Sequence, residues 1–158
     1  DGRPSARLMT NRGVDRNMGR LWFYTRMDTP KVSDLHASGD VCIVGYDPSA
    51  GVQLRLSGTV RLHHRDSMAA EHWEHVEQVS HWLFELPDLE RESPVGIDPR
   101  LPQDREKLTE GMTAKARANF GVIEITIETI DWLQTNGREQ RRAVMHACEQ
   151  WRVREVGG

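Results

Sequence analysis

The residues best suited to chemistry in this chain are basic. Arg7 lies in a stretch that reads as extended, Lys31 in the first turn of an expected helix, and Arg138 and Arg142 on a late strand. A lysine beside a helix N-terminus adds its charge to free backbone N–H groups and to the positive end of the helix dipole. Phosphate is the natural guest of such a site. Taken alone, a solvated lysine is the simpler reading of Lys31.

The histidines invite a metal reading. His63, His64, His72, His75 and His81 fall close together, with Glu71 one helical turn before His75. His72 and His75 share a helix face, but no third ligand follows at a recognisable spacing. No metal is expected, and these side chains read as surface or interface histidines. Trp22, Trp73, Trp82, Trp132 and Trp151 are core candidates first, because an indole buries a large apolar area. A flat aromatic cofactor would also use one or two of them. Cys42, in the run Val41-Cys42-Ile43-Val44, reads as a buried reduced thiol. A phosphate-binding glycine loop, a CxxC pair and a serine nucleophile elbow are all missing from the sequence.

The elements that must position these residues are mostly strands. Residues 3–11 read as a strand followed by a polar turn at 13–17, and Leu21–Thr25 is a dense aromatic and β-branched run. Thr29-Pro30-Lys31 starts a helix, with Thr29 as N-cap, and Gly39 ends it. Strands are expected at 40–46 and from Gln53 onward. In the latter, Leu54, Leu56, Gly58, Val60 and Leu62 alternate with Gln53, Arg55, Ser57, Thr59 and Arg61. Residues 66–82 read as one helix capped by Asp66, residues 86–103 as an irregular excursion, and 104–118 as a polar helix. Ile123, Ile125 and Ile127 alternate with Glu124, Thr126 and Glu128 in a strand running to Trp132. Asn136-Gly137 is a hairpin turn into 138–147, and 150–156 is a last strand. About six strands in hairpin order exclude a doubly wound parallel sheet and fit a mainly β fold, a small antiparallel barrel with inserted helices. Asp1-Gly2 is itself a hairpin signal, so an earlier strand is expected ahead of it.

Composition sets the outer limits. The 158 residues suit a single domain, 37% hydrophobic and 28% charged, with a net charge of −3. That charge argues against a general nucleic-acid binder. Residues 66–110 carry twelve acids against four Lys or Arg, while both flanks are mildly basic. No apolar stretch approaches the ~20 residues of a membrane span and no signal peptide is visible, so the default expectation is a cytoplasmic protein without a membrane partner. A modest apolar fraction in a small domain favours completing the core against a second subunit.

Several segments together resemble one family. Residues 1–10 (DGRPSARLMT), Leu21-Trp22-Phe23-Tyr24-Thr25, Pro30-Lys31-Val32-Ser33-Asp34-Leu35, Gln53-Leu54-Arg55-Leu56-Ser57-Gly58, and Asp131-Trp132 followed by Arg138 and Arg142 are similar to the signature of the pyridoxamine-5′-phosphate-oxidase-like flavoproteins. The resemblance covers roughly residues 1–65 and 120–158. It implies a six-stranded antiparallel split barrel that dimerises, with FMN at the subunit interface and a helix and strand preceding residue 1. The region 66–118 is then an insertion of helices and an irregular excursion.

Carried over by position, Arg7 and Lys31 hold the FMN phosphate. The Arg7-Leu8-Met9-Thr10 backbone with Tyr24 and Thr25 lines the flavin, Gln53 hydrogen-bonds to it, and Trp132 and Arg142 close the site. Arg12 and Arg138 are the substrate-side candidates, and no side chain is named as acid or base. The departures are specific. Arg12 stands where the true oxidases have lysine, Arg138-Glu139-Gln140 replaces their Arg-x-His, and their Tyr, Arg and Ser phosphate clamp has no counterpart around 72–80. There Trp73 takes the Tyr position and Glu77 the Arg position. A carboxylate would repel a substrate phosphate. The expectation is an FMN oxidoreductase acting on a small molecule other than pyridoxamine 5′-phosphate. The alternatives are a split barrel that binds haem or a deazaflavin, and a non-catalytic flavin-binding or stress-related module.

Overall fold

The computed structural model describes residues 4–84, 110–136 and 139–156. In chain order the elements are β1 (Asn11–Asp15), β2 (Arg20–Arg26), α1 (Pro30–Ser38), β3 (Asp40–Asp47), β4 (Val52–His63), α2 (Ser67–Trp73), a 3₁₀ helix (Gln78–Phe84), α3 (Glu110–Asn119), β5 (Phe120–Asn136), β6 (Glu139–His146), a 3₁₀ turn (Ala147–Glu149) and β7 (Arg154–Val156). The strands form one sheet in the order β1-β2-β5-β4-β3, with β6 paired to β5 and β7 to β6. The expected mainly antiparallel β class with inserted helices is what forms, with one strand more than the six expected. The chain divides into two compact units.

The first unit comprises Asp1–Phe23, Leu35–Arg61 and Glu124–Gly158. Its β3–β4 hairpin pairs continuously from Asp40 opposite Thr59 to Asp47 opposite Val52. The turn is closed by the Asp47 carboxylate, which accepts from the Ser49 and Ala50 N–H groups at 2.8 and 3.3 Å. On β4 the expected alternation holds from Leu56 onward; Leu54 departs from it and is 37% exposed. Gly58 is demanded by its neighbour, since a Cβ there would lie 2.0 Å from the Thr126 carbonyl oxygen. On β5, Ile125 and Ile127 are buried, as the pattern requires.

Three expectations in this unit are corrected. Residues 4–10 are not a strand; β1 begins at Asn11 and takes in residues expected to be turn. The pairing of β1 with β2 slips between Asn11 and Gly13, so Arg12 is the extra residue of a bulge. Gly13 fits there because a Cβ would meet the Trp22 ring at 3.0 Å. Cys42 is exposed, on the opposite face from half-buried Val41 and Ile43, because an apolar run in a one-sided sheet still alternates. The last strand starts only at Arg154, because Gln150 and Trp151 both adopt left-handed backbone (φ 55° and 58°) and reverse the chain.

The second unit comprises Tyr24–Asp34 and Leu62–Ile123. Its centre is aromatic. Trp73 stacks on His81 at 4.2 Å and meets Phe120 edge-on at 5.1 Å, while Phe120 meets Phe84 and Tyr24, each at 5.0 Å. The single helix expected over 66–82 is two pieces. Asp66 caps α2 as expected, accepting from Ala69 N–H at 2.9 Å, but the helix ends at Trp73. A straight helix would hold Trp73 and His81 about 12 Å apart along its axis, so their stacking requires the break. The excursion at 86–103 lies outside the described residues. No helix among the described residues is long and apolar enough to cross a membrane.

Gly58→Ala is expected to cost about 2–3 kcal/mol by overpacking β4 against β5. Thermal unfolding should register this as a fall of roughly 5–10 °C; an unchanged melting temperature would contradict the close approach.

Candidate functional site

The residues expected at the site divide between the two units. In the first unit, strand alternation decides which of them share a side. Opposite residues on paired strands point the same way, and successive residues point oppositely. Leu133 faces Arg142 across β5–β6, and Trp132 faces Ala143. Arg142 and Trp132, both expected to close the site, therefore stand on opposite faces of this ladder.

Arg142 is held by Asp131. Its Nε donates to Asp131 Oδ1 at 2.9 Å and one Nη to Oδ2 at 2.8 Å, the two-point contact for which guanidinium is shaped. Arg55 of β4 approaches Oδ2 to 3.7 Å. Asp131 is only 14% exposed at its side chain, whereas both arginines are about half in water. Gln53 lies two residues from Arg55 and so on the same face of β4. Tyr46 and Val44 are the cross-strand partners of Gln53 and Arg55 and extend this face with apolar surface, 65% and 63% exposed.

The Arg142 hydrogen bonds hold the Asp131 carboxyl below its ordinary range against partial burial, with the Arg142 and Arg55 charges adding to the effect. The same contact raises the Arg142 pKa. Sequence reading named Arg142 and missed Asp131 as its holder. The expected Asn136-Gly137 turn would set Arg142 directly opposite Asp131, whereas in the observed register Asn136 pairs with Glu139 and Arg142 stands opposite Leu133, diagonal to Asp131.

The other first-unit positions are less enclosed. Arg7 donates to Ser5 Oγ at 3.1 Å, Leu8 and Thr10 are exposed, and Met9 is half-buried. Arg12, on its bulge, is exposed. Bulges re-aim side chains and recur beside functional sites. Arg138 lies outside the described residues. Glu124, expected on a polar face, is buried and accepts from Trp22 Nε1 at 3.2 Å and from Arg20 at 3.5 Å.

In the second unit, Lys31 stands in the first turn of α1, which contains no acidic residue, and its Nζ donates to Thr29 Oγ1 at 3.1 Å. The Thr29 hydroxyl in turn donates to the Arg26 carbonyl. Thr25 is buried, and the Tyr24 hydroxyl lies 3.2 Å from His72 Nδ1. Each of these histidines has a hydrogen-bond partner. His63 Nδ1 is 2.8 Å from Asp66 Oδ2, His64 contacts the Ala118 carbonyl, His75 the Glu71 carbonyl and His81 the Val76 carbonyl. Of the histidines read as surface or interface groups, His63 and His81 are buried and His75 is exposed. Trp73 is buried core, and Glu77 is exposed.

The sign of the Asp131 shift fixes a pH dependence. Its lowered pKa contributes stability that is fully present above the ordinary value of about 3.9 and is lost as pH falls through the lower folded-state value. In Arg142→Gln, the Asp131 carboxyl titration followed by carbon-13 NMR should move back up. The stability gap between wild type and variant should be full at neutral pH and close on acidification. A carboxyl that titrates identically in both proteins would show that Arg142 does not hold it.

The model of the "pyridoxamine 5'-phosphate oxidase like" family matches residues 1–88, more than half of the chain. No curated protein matches the sequence. Among solved structures, a pyridoxamine 5'-phosphate oxidase-related, FMN binding protein from Nostoc punctiforme superposes with a TM-score of 0.72 at 20% identity, over 99% of this chain and 82% of that one. PhzG from Burkholderia lata, solved in complex with tetrahydrophenazine-1-carboxylic acid, gives 0.71 at 17% identity, over 99% and 77%. A Clostridium acetobutylicum protein related to general stress protein 26 of B. subtilis gives 0.52 at 14%, over 94% and 80%. At these identities the likeness carries the fold, which these neighbours share as a split barrel. With more than half its length matched by the family model, the chain belongs to the pyridoxamine 5'-phosphate oxidase-like family.

Proposed function

We propose that the chain is an FMN-binding flavoprotein that works as a homodimer and performs oxidoreductase chemistry on a small molecule. The observation that carries this reading is the donor face of the first unit, where the Gln53 amide and the Arg142 guanidinium stand on one side of the same sheet. A flavin ring presents carbonyl oxygens and ring nitrogens at its edge, and such a face offers donors to them. In the second unit, Lys31 and the acid-free first turn of α1 act with the same sign on a phosphate. The donor types therefore fit FMN at both its ring and its phosphate. A solved neighbour of the same fold is described as FMN binding.

When bound, FMN supplies the hydride-accepting and hydride-donating chemistry. The chain binds and orients it: Arg7 and Lys31 toward the phosphate, Gln53 and Arg142 toward the ring, with the Arg7–Thr10 backbone, Tyr24 and Thr25 as its surroundings. Arg12, re-aimed by its bulge, and Arg138 serve the substrate. Val44 and Tyr46, apolar and exposed beside the donor face, suit burial against a second copy of the chain.

Purified protein should bind added FMN saturably, one per subunit, with quenching of flavin fluorescence and a rise in melting temperature. Folded protein that leaves saturating FMN unbound would refute the reading. The absorption spectrum of any co-purified cofactor separates FMN from haem and deazaflavin. Pyridoxamine 5′-phosphate should be a poor substrate, because Trp73 is core and Glu77 opposes a phosphate; turnover near the usual enzyme scale of ~10 s⁻¹ would overturn that. Lys31→Ala and Arg142→Ala homodimers should each bind FMN weakly. Mixed dimers with one chain of each should recover about half the tight sites, because a site shared between subunits leaves one intact.

A further inference from the structure

Arg142 is pinned before any ligand arrives. Of the five N–H donors of a guanidinium, Nε–H and one Nη–H are spent on the two oxygens of Asp131. The end edge of the group, opposite the side chain's stem, has no hydrogen-bond partner among the described residues, and the side chain is about half in water. Asp131 is the more enclosed partner, and Arg55 adds a second positive charge at 3.7 Å. Three charges thus sit on one face of β4, β5 and β6 with a net charge of one positive unit. An arginine on an exposed strand ordinarily samples many rotamers, and ordering it on binding costs entropy. Here a carboxylate on the neighbouring strand has already ordered it, and the free edge is the one a ligand oxygen would meet.

We propose that Asp131 is the positioning residue of this site: it clamps the side edge of Arg142 so that the end edge is presented, preorganised, to the flavin ring. The proposal rests on the reading of the chain as an FMN protein. Asp131 touches no ligand in this role and acts only through Arg142. It also offsets one of the two arginine charges, so that the face suits the partly charged oxygens of a ring better than a dianion.

A double-mutant cycle on the full chain tests it, with FMN as the probe. Asp131→Asn keeps the shape but removes the charge and places an amide N–H group against the guanidinium. It should weaken FMN binding about tenfold, and Asp131→Glu should restore part of the loss. Arg142→Lys keeps the charge but cannot make the two-point contact, and should lose affinity similarly. In an Arg142→Ala background, Asp131→Asn should have no further effect, which a general weakening of the sheet would not produce. A readout without flavin accompanies these: the Arg142 Nε–H nitrogen-15 resonance should exchange slowly with water in wild type and rapidly in Asp131→Asn. Wild type that binds FMN while Asp131→Asn binds equally well, or loses as much affinity again in the Arg142→Ala background, overturns the role of Asp131 alone. Wild type that binds no FMN overturns the flavin reading and this proposal with it.

Discussion

The first unit depends on the satisfaction of one long strand. β5 runs for 17 residues, and every buried N–H and C=O along it needs a partner. It meets β2, β4 and β6, and loop carbonyls serve it as well. Gly19 C=O accepts from Ile127 N–H at 2.8 Å, and Gly51 C=O accepts from Thr135 N–H at 2.8 Å. The approach of β4 is close enough that only a glycine fits at position 58. Pairing this complete fixes register, and register decides which side chains share a face.

The charge cluster follows from that register. Asp131, Arg142 and Arg55 come from three strands, and a slip of one residue in any of them would turn its charge to the other face. Burying a carboxylate is costly unless it is paired and hydrogen-bonded, and two half-hydrated arginines meet that condition without having to be buried themselves. Glu124 is handled by the same logic further along β5, with an indole N–H and a guanidinium as donors. Asp131 and Glu124, two of the three acids on β5, thus meet different ends: one shapes an exposed arginine, the other is locked into the sheet.

What the sequence made legible was periodic or local. The alternation of β4 and of Ile123, Ile125 and Ile127, the Asp66 cap, and the Gly39 stop with φ +73° all depend on residues near one another in the chain. What it concealed was set by distant partners. The break after Trp73 exists because Trp73, His81, Phe84 and Phe120 gather into one aromatic core. Cys42 faces outward because alternation overrides the apolar run around it. Glu124 is buried by donors on β2, about a hundred residues away, which no pattern along β5 announces. The candidate site was legible as a set of residue types; the division of Trp132 and Arg142 between two faces, and the grip of Asp131, appear only once the strands are paired.

The assembly of the first unit from Asp1–Phe23, Leu35–Arg61 and Glu124–Gly158 has a consequence for how the chain comes into being. The early strands leave the ribosome long before β5 is made. At about 5–20 residues per second, the stretch of chain between β4 and β5 takes on the order of several seconds to synthesise. For that interval the edges and apolar faces that β5 will cover stand open, and pairing across such a distance is itself slow once it becomes possible. The exposed apolar residues Val44 and Tyr46 of the early β3 add to the adhesive surface of that half-made sheet. Yield of the folded protein is therefore governed by the competition between the arrival of β5 and association among nascent chains, and slower, cooler expression with chaperone capacity shifts that competition toward the native sheet.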